Sequence, residues 1–400
     1  MTLDRYAVAS RANVPPFHVM DLLAAAGERQ RTHGDMVNLV AGQPSSGAPA
    51  AVTTEAIRLL QSSDPLGYTV AAGIPELREA IAGHHRRRHG IEVSPDDVVV
   101  TTGSSGGFLL AFLAAFEVGD RVAMARPGYP CYRNVLTALG CEVVEIPCGP
   151  ATRFQPTVEQ LEELRAEGGI KGLVVASPAN PTGTMLLPDE LAAIARWCEE
   201  HGVQLVSDEI YHGVQYTASS SRSAWETSRE AIAFGSFSKY FSMTGWRIGW
   251  MLVPERLRRA VDVLTGNFTI CPPAIAQRAA LAAFTEESYA ELDGHVRRYA
   301  GNRALLLDGL PRMGIDKLAP ADGAFYVYAD VGHLTGDSMA FAHQLLAETG
   351  VAVAPGIDFD TVEGGHTIRL SFAGSADEIR TGLERLAGFT GSVFTPGTGG

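Results

Sequence analysis

From Val98 to Val253 the chain alternates short apolar, β-branched runs with longer segments of helical character, the pattern of βαβ units laid on a mostly parallel sheet. The runs Val98–Val100, Arg121–Ala125, Cys141–Ile146, Gly172–Ala176, Val203–Ser207, Ala231–Gly235 and Arg247–Val253 are the expected strands. Several are apolar at nearly every position, as strands covered by helices on both faces must be. Four of them run into polar loops: TTGSSGG after Val100, SPANPTG after Ala176, DEIYHG after Ser207 and SFSKYFSMTGWR after Gly235. Ligands of open parallel sheets sit outside the carboxyl ends of strands, so these loops are expected to converge on one crevice.

We therefore expect an α/β fold: a mostly parallel central sheet with helices on both faces over residues 46–290, joined to a smaller α+β domain over residues 291–388. The smaller unit is read from helical stretches at Phe341–Thr349 and Ala376–Ala387 and from strands within AFYVYADV and HTIRLSFA. Residues 1–45, with a helix expected from Met20 to Arg31, form an N-terminal arm lying on the smaller domain or on a neighbouring subunit. Residues 389–400 read as a flexible Gly/Thr-rich tail. At 400 residues, 46% apolar and 19% charged, the chain can bury cores of this size. Its net charge of −13 repels a phosphate backbone, which argues against nucleic acid as a partner. Five cysteines without metal-type spacing indicate neither a disulfide framework nor a zinc site, and fit a reducing compartment. There is no apolar leader, and the longest fully apolar run, Phe108–Phe116, falls far short of the roughly 20 residues of a spanning helix. The expected location is the cytoplasm, with no membrane partner.

Chemistry is narrowed by scarcity: Lys171, Lys239 and Lys317 are the only lysines. Lys239 follows an apolar strand and is flanked by Phe237, Tyr240 and Phe241. A lysine so desolvated loses its proton more readily, and a neutral amine condenses with aldehydes. Asp208 and Glu209 close another strand, an arrangement that also suits magnesium in nucleotide hydrolases. That rival lacks its phosphate loop, because no lysine lies near Gly103-Ser104-Ser105-Gly106-Gly107. The same segment lacks the G-x-G-x-x-G order of a dinucleotide site, yet it precedes a helix expected to start near Phe108, whose amides and dipole can hold a monophosphate. Asn180 sits in a proline-bounded loop where a turn-forming asparagine is the plain reading. Arg369 lies in an alternating strand, either facing outward or serving as a bidentate clamp on a carboxylate.

Taken in order, SPANPTG, DEIY, SFSKYFSMTGWRIGW and IRLSF closely resemble the class I/II aminotransferases of the pyridoxal-phosphate fold type I superfamily, and YTVAAGIPELREAIA, RPGYPCY, DGAFYVYADV and VAVAPGIDF extend the likeness from about Gly42 to Leu386. The resemblance implies pyridoxal 5'-phosphate as cofactor, with Lys239 as the lysine that condenses with its aldehyde and Asp208 paired with its pyridine nitrogen. It implies Tyr211 and Asn180 at the phenolic oxygen and Tyr129 stacked on the ring. The phosphate falls to Ser104, Ser105, Gly106, Ser236, Ser238 and Arg247, with Tyr68 reaching it from the other subunit of a homodimer. Arg369, helped by the backbone near Gly42, holds the substrate α-carboxylate.

The function implied is transamination between an L-α-amino acid and a 2-keto acid in ping-pong fashion. Fold does not decide the reaction, and a carbon–sulfur β-lyase is the alternative. A regulator built on this fold needs an added DNA-binding domain, for which there is no room. A dicarboxylate donor needs a second cation, since an unpaired charge is costly to bury. The segments expected to approach the side-chain pocket, Val14–His18 with Phe17 and Gly266–Ile270, contain no arginine. Neutral or aliphatic donors such as valine and alanine are therefore favoured, with pyruvate or 2-oxoglutarate as acceptor. Aspartate with 2-oxoglutarate stands as the other possibility, should an arginine such as Arg11 enter the pocket.

Overall fold

A computed structural model describes residues 8–217 and 221–391. Their eleven strands, in chain order, are β1 (Val37–Leu39), β2 (Val98–Thr101), β3 (Arg121–Arg126), β4 (Glu142–Pro147), β5 (Gly172–Ala176), β6 (Gln204–Asp208), β7 (Ile232–Ser236), β8 (Gly249–Leu252), β9 (Tyr326–Asp330), β10 (Val351–Pro355) and β11 (Thr367–Ser371).

The expected seven strands form one sheet in the order β2-β8-β7-β6-β5-β3-β4. It is parallel except for β8, which runs antiparallel to both of its neighbours. Helices Pro130–Ala138, Val158–Ala166 and Pro188–His201 carry the chain between β3, β4, β5 and β6. The last of these opens with proline in its first turn and stops on Gly202 in the left-handed conformation, both ordinary boundary signals. Alternate residues of the central strands feed different cores. Ala123, Leu173, Val175 and Leu205 pack with the residues of one face, while Val122, Met124, Val174 and Val206 join the larger cluster on the other. The near-continuous apolar runs follow from this two-sided burial.

The second sheet has the order β1-β10-β11-β9. Strand β10 is parallel to β1 and antiparallel to β11. The N-terminal stretch thus supplies an edge strand to this sheet, and the helix preceding it spans His18–His33 and packs on β10. The last helix runs Ala376–Thr390, so Phe389 and Thr390, read from sequence as the start of a tail, complete a helix, while residues 392–400 lie outside the described residues. The two sheets meet at a seam of main-chain bonds: Gly323 N–H donates to Gly183 O at 2.8 Å, Ala324 N–H to Val214 O at 2.9 Å and Tyr216 N–H to Asp322 O at 2.9 Å. Among the described residues no helix is long and apolar enough to cross a membrane.

Candidate active site

The register of the large sheet sets Ala176 beside Asp208 and Asp208 beside Phe234. The carboxyl ends of β5, β6 and β7 therefore deliver the SPANPTG, DEIY and SFSK segments side by side. Between them and the second sheet lies a cavity of about 310 Å³, lined among others by Phe17, Gly42, Ser104, Ser105, Tyr129, Asn180, Asp208, Tyr211, Ser238, Lys239, Arg247 and Arg369. Twelve of the residues expected from sequence thus share one wall-to-wall space.

Lys239 occupies its floor, with Nζ donating to Gly42 O at 2.6 Å and standing 5.3 Å from the ring centre of Tyr211. Burial, followed by the nearby Arg369 guanidinium, brings its ammonium down to about 8, against the pull of Asp208. A methyl group on Gly42 would come within 2.8 Å of the Tyr326 hydroxyl oxygen, so a larger residue here would push against the Tyr326 hydroxyl paired with Tyr211. Asp208 is 3% exposed. Burial raises its carboxyl to about 6, while hydrogen bonds from the Tyr132 hydroxyl and, at 3.1 Å, from Ile210 N–H favour the ionised form. Burial also pushes the Tyr211 phenol well above its usual range, and its hydroxyl lies 2.7 Å from that of Tyr326.

Arg369 does not face outward from its strand: it points inward and is 2% exposed. Its two terminal nitrogens donate to Asn180 Oδ1 at 2.9 Å and Val40 O at 2.7 Å. Its Nε is buried without a hydrogen-bond partner, and the guanidinium carbon sits 4.3 Å over the Tyr326 ring.

At the opposite end, Gly103–Ala115 is a single helix. The Gly-Ser-Ser-Gly-Gly segment is thus its first turn and a half, rather than a loop preceding a helix at Phe108. Gly103 itself takes a positive φ of 66°, which turns the chain from β2 into the helix and accounts for the early start. Arg247 lies against this N-terminus, and its Nη1 donates to Thr244 O at 2.9 Å and contacts Ser238 Oγ at 3.5 Å. A guanidinium beside the positive end of a helix dipole is unfavourable unless an anion lies between them.

Three expected residues stand apart from the lining. Ser236 uses its Oγ to accept from Ser238 N–H at 3.0 Å. Gly106 lies within the first turn of the helix, outside the lining. Tyr68 is 84% exposed and does not line the cavity of its own chain. Gly266–Ile270 and Arg11 are also absent from the lining. Conversely, the sequence reading missed Tyr132, Tyr326, Thr244, Asn38 and Gln43, and the apolar side chains Val19, Met20 and Leu23 of the helix His18–His33. Tyr132 had a signal: it stands three residues after Tyr129 at the start of the helix Pro130–Ala138, a spacing that puts both rings on one face.

Comparison with known proteins identifies the family. The family model for aminotransferase class I and II matches residues 34–386. The chain is 65% identical over 380 residues to a valine–pyruvate aminotransferase of Mycobacterium tuberculosis, covering 95% of this chain and 97% of that protein. It is 37% identical to an aspartate/prephenate aminotransferase of Thermus thermophilus, covering 91% and 93%. The crystal structure of an aminotransferase from Mycobacterium tuberculosis superposes with a TM-score of 0.94 at 64% identity, covering 96% of this chain and 99% of that one. The chain thus belongs to the class I and II aminotransferases, a family of fold type I enzymes that use pyridoxal phosphate, and it is an aminotransferase.

Proposed function

We propose that this enzyme transfers the amino group of a neutral, aliphatic L-amino acid such as valine or alanine to pyruvate or another 2-keto acid. The single observation that carries the substrate class is the cation content of the cavity. Arg247 and Arg369 are its only arginines among the described residues, and Lys239 is its only lysine. The side facing the helix His18–His33 presents Phe17, Val19, Met20 and Leu23, which suits an apolar side chain and offers a distal carboxylate no cation from this chain. The 65% identity to a valine–pyruvate aminotransferase supports the same class.

The residues present fit the cofactor. The Arg247 guanidinium and the helix N-terminus at Gly103 are two positive groups facing one space, and Ser104, Ser105, Ser238 and Thr244 add hydroxyls around it. These would hold the phosphate. Asp208 would pair with the ring nitrogen, Tyr129 would cover the ring, and Asn180 with Tyr211 would hold its phenolic oxygen. The cofactor, when bound, supplies an aldehyde to carry the amino group and a ring to receive the electron pair of the breaking Cα–H bond. Arg369 binds the substrate α-carboxylate through a bidentate pair and fixes which bond of Cα faces the lysine. With its affinity for protons lowered to about 8, Lys239 Nζ takes the Cα proton as general base and returns it as general acid. Tyr132 holds the Asp208 carboxylate in its ionised form from behind.

We read the enzyme as a homodimer in which Tyr68 completes the partner's phosphate site. The exposure of Tyr68, with that of the apolar Val70, Phe268 and Ile270, supports this. Its five cysteines are free, three of them buried, which supports a reducing cytoplasmic location. The test of the substrate class is a half-reaction screen, in which the bound chromophore is watched as each amino acid is added. Valine and alanine should convert the visible band efficiently, and aspartate far less so. Aspartate reacting far better than the neutral donors overturns the assignment. Pyruvate released from cysteine with no keto acid added would identify a β-lyase instead.

A further inference from the structure

Behind the turn that carries Asp208 and Tyr211 lies a second cluster of titratable groups that the reaction above does not use. Asp208, the last residue of β6, faces the cavity, and the next residue along the chain, Glu209, lines a separate pocket away from it. It is 4% exposed. One carboxyl oxygen accepts from Ala224 N–H at 2.8 Å, and the other stands 3.6 Å from His212 Nδ1. That nitrogen is in turn 3.2 Å from His89 Nε2, and His89 Nδ1 lies 4.0 Å from Glu226. His89 belongs to the helix Pro75–His89, Ala224 and Glu226 to the short turn Ala224–Glu226, and His212 to the same turn as Tyr211. Glu209 and its partners therefore tie the active-site turn to two elements that do not touch the cofactor cavity.

We propose that Glu209 is a positioning residue for Asp208 and Tyr211, locking their turn from behind through Ala224, His212 and His89. The inference rests on the reading of Asp208 and Tyr211 as cofactor-binding groups. The main-chain bonds of the turn are five: Ser177 N–H to Asp208 O at 3.1 Å, Glu209 N–H to Phe234 O at 3.0 Å, and, at 2.9 Å each, His212 N–H to Glu209 O, Val214 N–H to Tyr211 O and Ala324 N–H to Val214 O. The side-chain ties brace the backbone of the turn from behind, while the Tyr132 hydroxyl and Ile210 N–H hold the Asp208 carboxylate itself from the front.

The surroundings of Glu209 suit a neutral hydrogen-bonding acid rather than an anion. Its pocket is walled by Phe234, Phe241 and Trp250, with His84, His85, His89 and His212 as the titratable neighbours. Glu226, held by Arg222 at 3.0 Å, is a carboxylate that acts on Glu209, and Arg229 acts on His85 from the rim. Burial raises Glu209 to about 8 and lowers His212 well below its usual range, so at neutral pH both are uncharged. A glutamine should then reproduce what the acid does.

The test compares Glu209→Gln, Glu209→Ala and His212→Phe in the cofactor-loaded enzyme with the wild type. Three readouts are followed: kcat with valine and pyruvate, the pH midpoint of the visible band, and the pH dependence of melting in the cofactor-free protein. Glu209→Ala should lower kcat roughly ten- to a hundredfold, the loss expected of a displaced active-site group, and should shift the midpoint. Glu209→Gln should restore both. A folded Glu209 raised above its unfolded value contributes stability that is lost as pH climbs toward about 8. Glu209→Gln should therefore flatten the fall in melting temperature between about pH 5 and pH 8.5. If Glu209→Ala does not fold, His212→Phe must shift the midpoint for the inference to stand. Unchanged midpoint and kcat in Glu209→Ala overturn the positioning role alone, and loss of function in Glu209→Gln matching that in Glu209→Ala overturns the neutral-acid account. A wild-type enzyme that shows no visible band with pyridoxal phosphate overturns instead the reading on which the inference rests.

Discussion

Replacing Gly103 with alanine adds one methyl group at the point where the helix N-terminus meets Arg247. Built on the present backbone, that methyl lies 2.3 Å from Arg247 Nη2 and 3.0 Å from its Cζ. Ordinary contact between such atoms begins near ~3.5 Å, so the guanidinium must retreat by about 1 Å. It cannot do so freely, because its Nη1 is bound to Thr244 O and rests near Ser238 Oγ. The retreat removes one hydrogen bond between charged partners, worth about 1.5–3 kcal/mol, from whatever anion occupies the cradle. That corresponds to a loss of affinity of roughly ten- to a hundredfold. Alanine at a φ of 66° costs a further ~1–2 kcal/mol of backbone strain, but that strain acts on stability and is common to any ligand. The assay is therefore a ratio: cofactor-free enzyme is titrated with pyridoxal phosphate and, in parallel, with pyridoxal, which lacks the phosphate. The variant should lose its preference for the phosphorylated form by the stated factor while pyridoxal binds as before, and Arg247→Ala should behave alike. An unchanged ratio in either variant refutes the placement of the phosphate at this end of the cavity.

Three further outcomes are expected. In cofactor-free enzyme, the rate at which Lys239 reacts with an aldehyde followed by borohydride, read on the peptide that carries it, should rise with pH around a midpoint near 8, because burial and Arg369 favour its neutral form; a midpoint above 10 contradicts this, and Lys239→Ala should lose the adduct on that peptide while Lys171 and Lys317 still react. Tyr132→Phe keeps the ring packing against Phe108 and Tyr129 but removes a bond to an ionised group worth about 1.5–3 kcal/mol. It should raise the proton affinity of Asp208 and slow turnover by roughly tenfold or more with cofactor still bound, and normal turnover at pH 7 counts against the role. Arg369→Met should raise KM for every amino acid by roughly a hundredfold, while leaving reaction with a simple alkylamine intact; an equal loss with the amine means the residue serves the fold alone.

Much of this site was legible in the chain because parallel strands must be buried on both faces. Their apolar runs mark the carboxyl ends where Asn180, Asp208 and Lys239 stand, and local order along the sequence becomes order across the sheet. What escaped is of two kinds. The helix beginning at Gly103 was hidden by its own composition, since Gly and Ser read as loop unless the positive φ that starts the helix is known. Tyr326, Asn38 and the apolar face of the helix His18–His33 reach the cavity only through contacts made between distant segments, such as Asp358 accepting from His18 and Val19 N–H at 2.9 and 2.7 Å. Nothing periodic in the sequence encodes such pairings. The inward turn of Arg369 belongs here too, because alternation in β11 gives its two faces but not which of them meets Asn180.

That arginine has one further consequence. Rooted in the four-stranded sheet, it is tethered at rest to Asn180, in the loop that follows β5 of the seven-stranded sheet, and to Val40 just after the edge strand β1. If Arg369 clamps the substrate as proposed, a carboxylate arriving from solution competes for the same nitrogens, and engaging substrate and releasing the tether between the sheets become a single exchange. Small changes in how the four-stranded layer is seated, even on the side remote from the chemistry, should then register first as altered grip on the incoming acid.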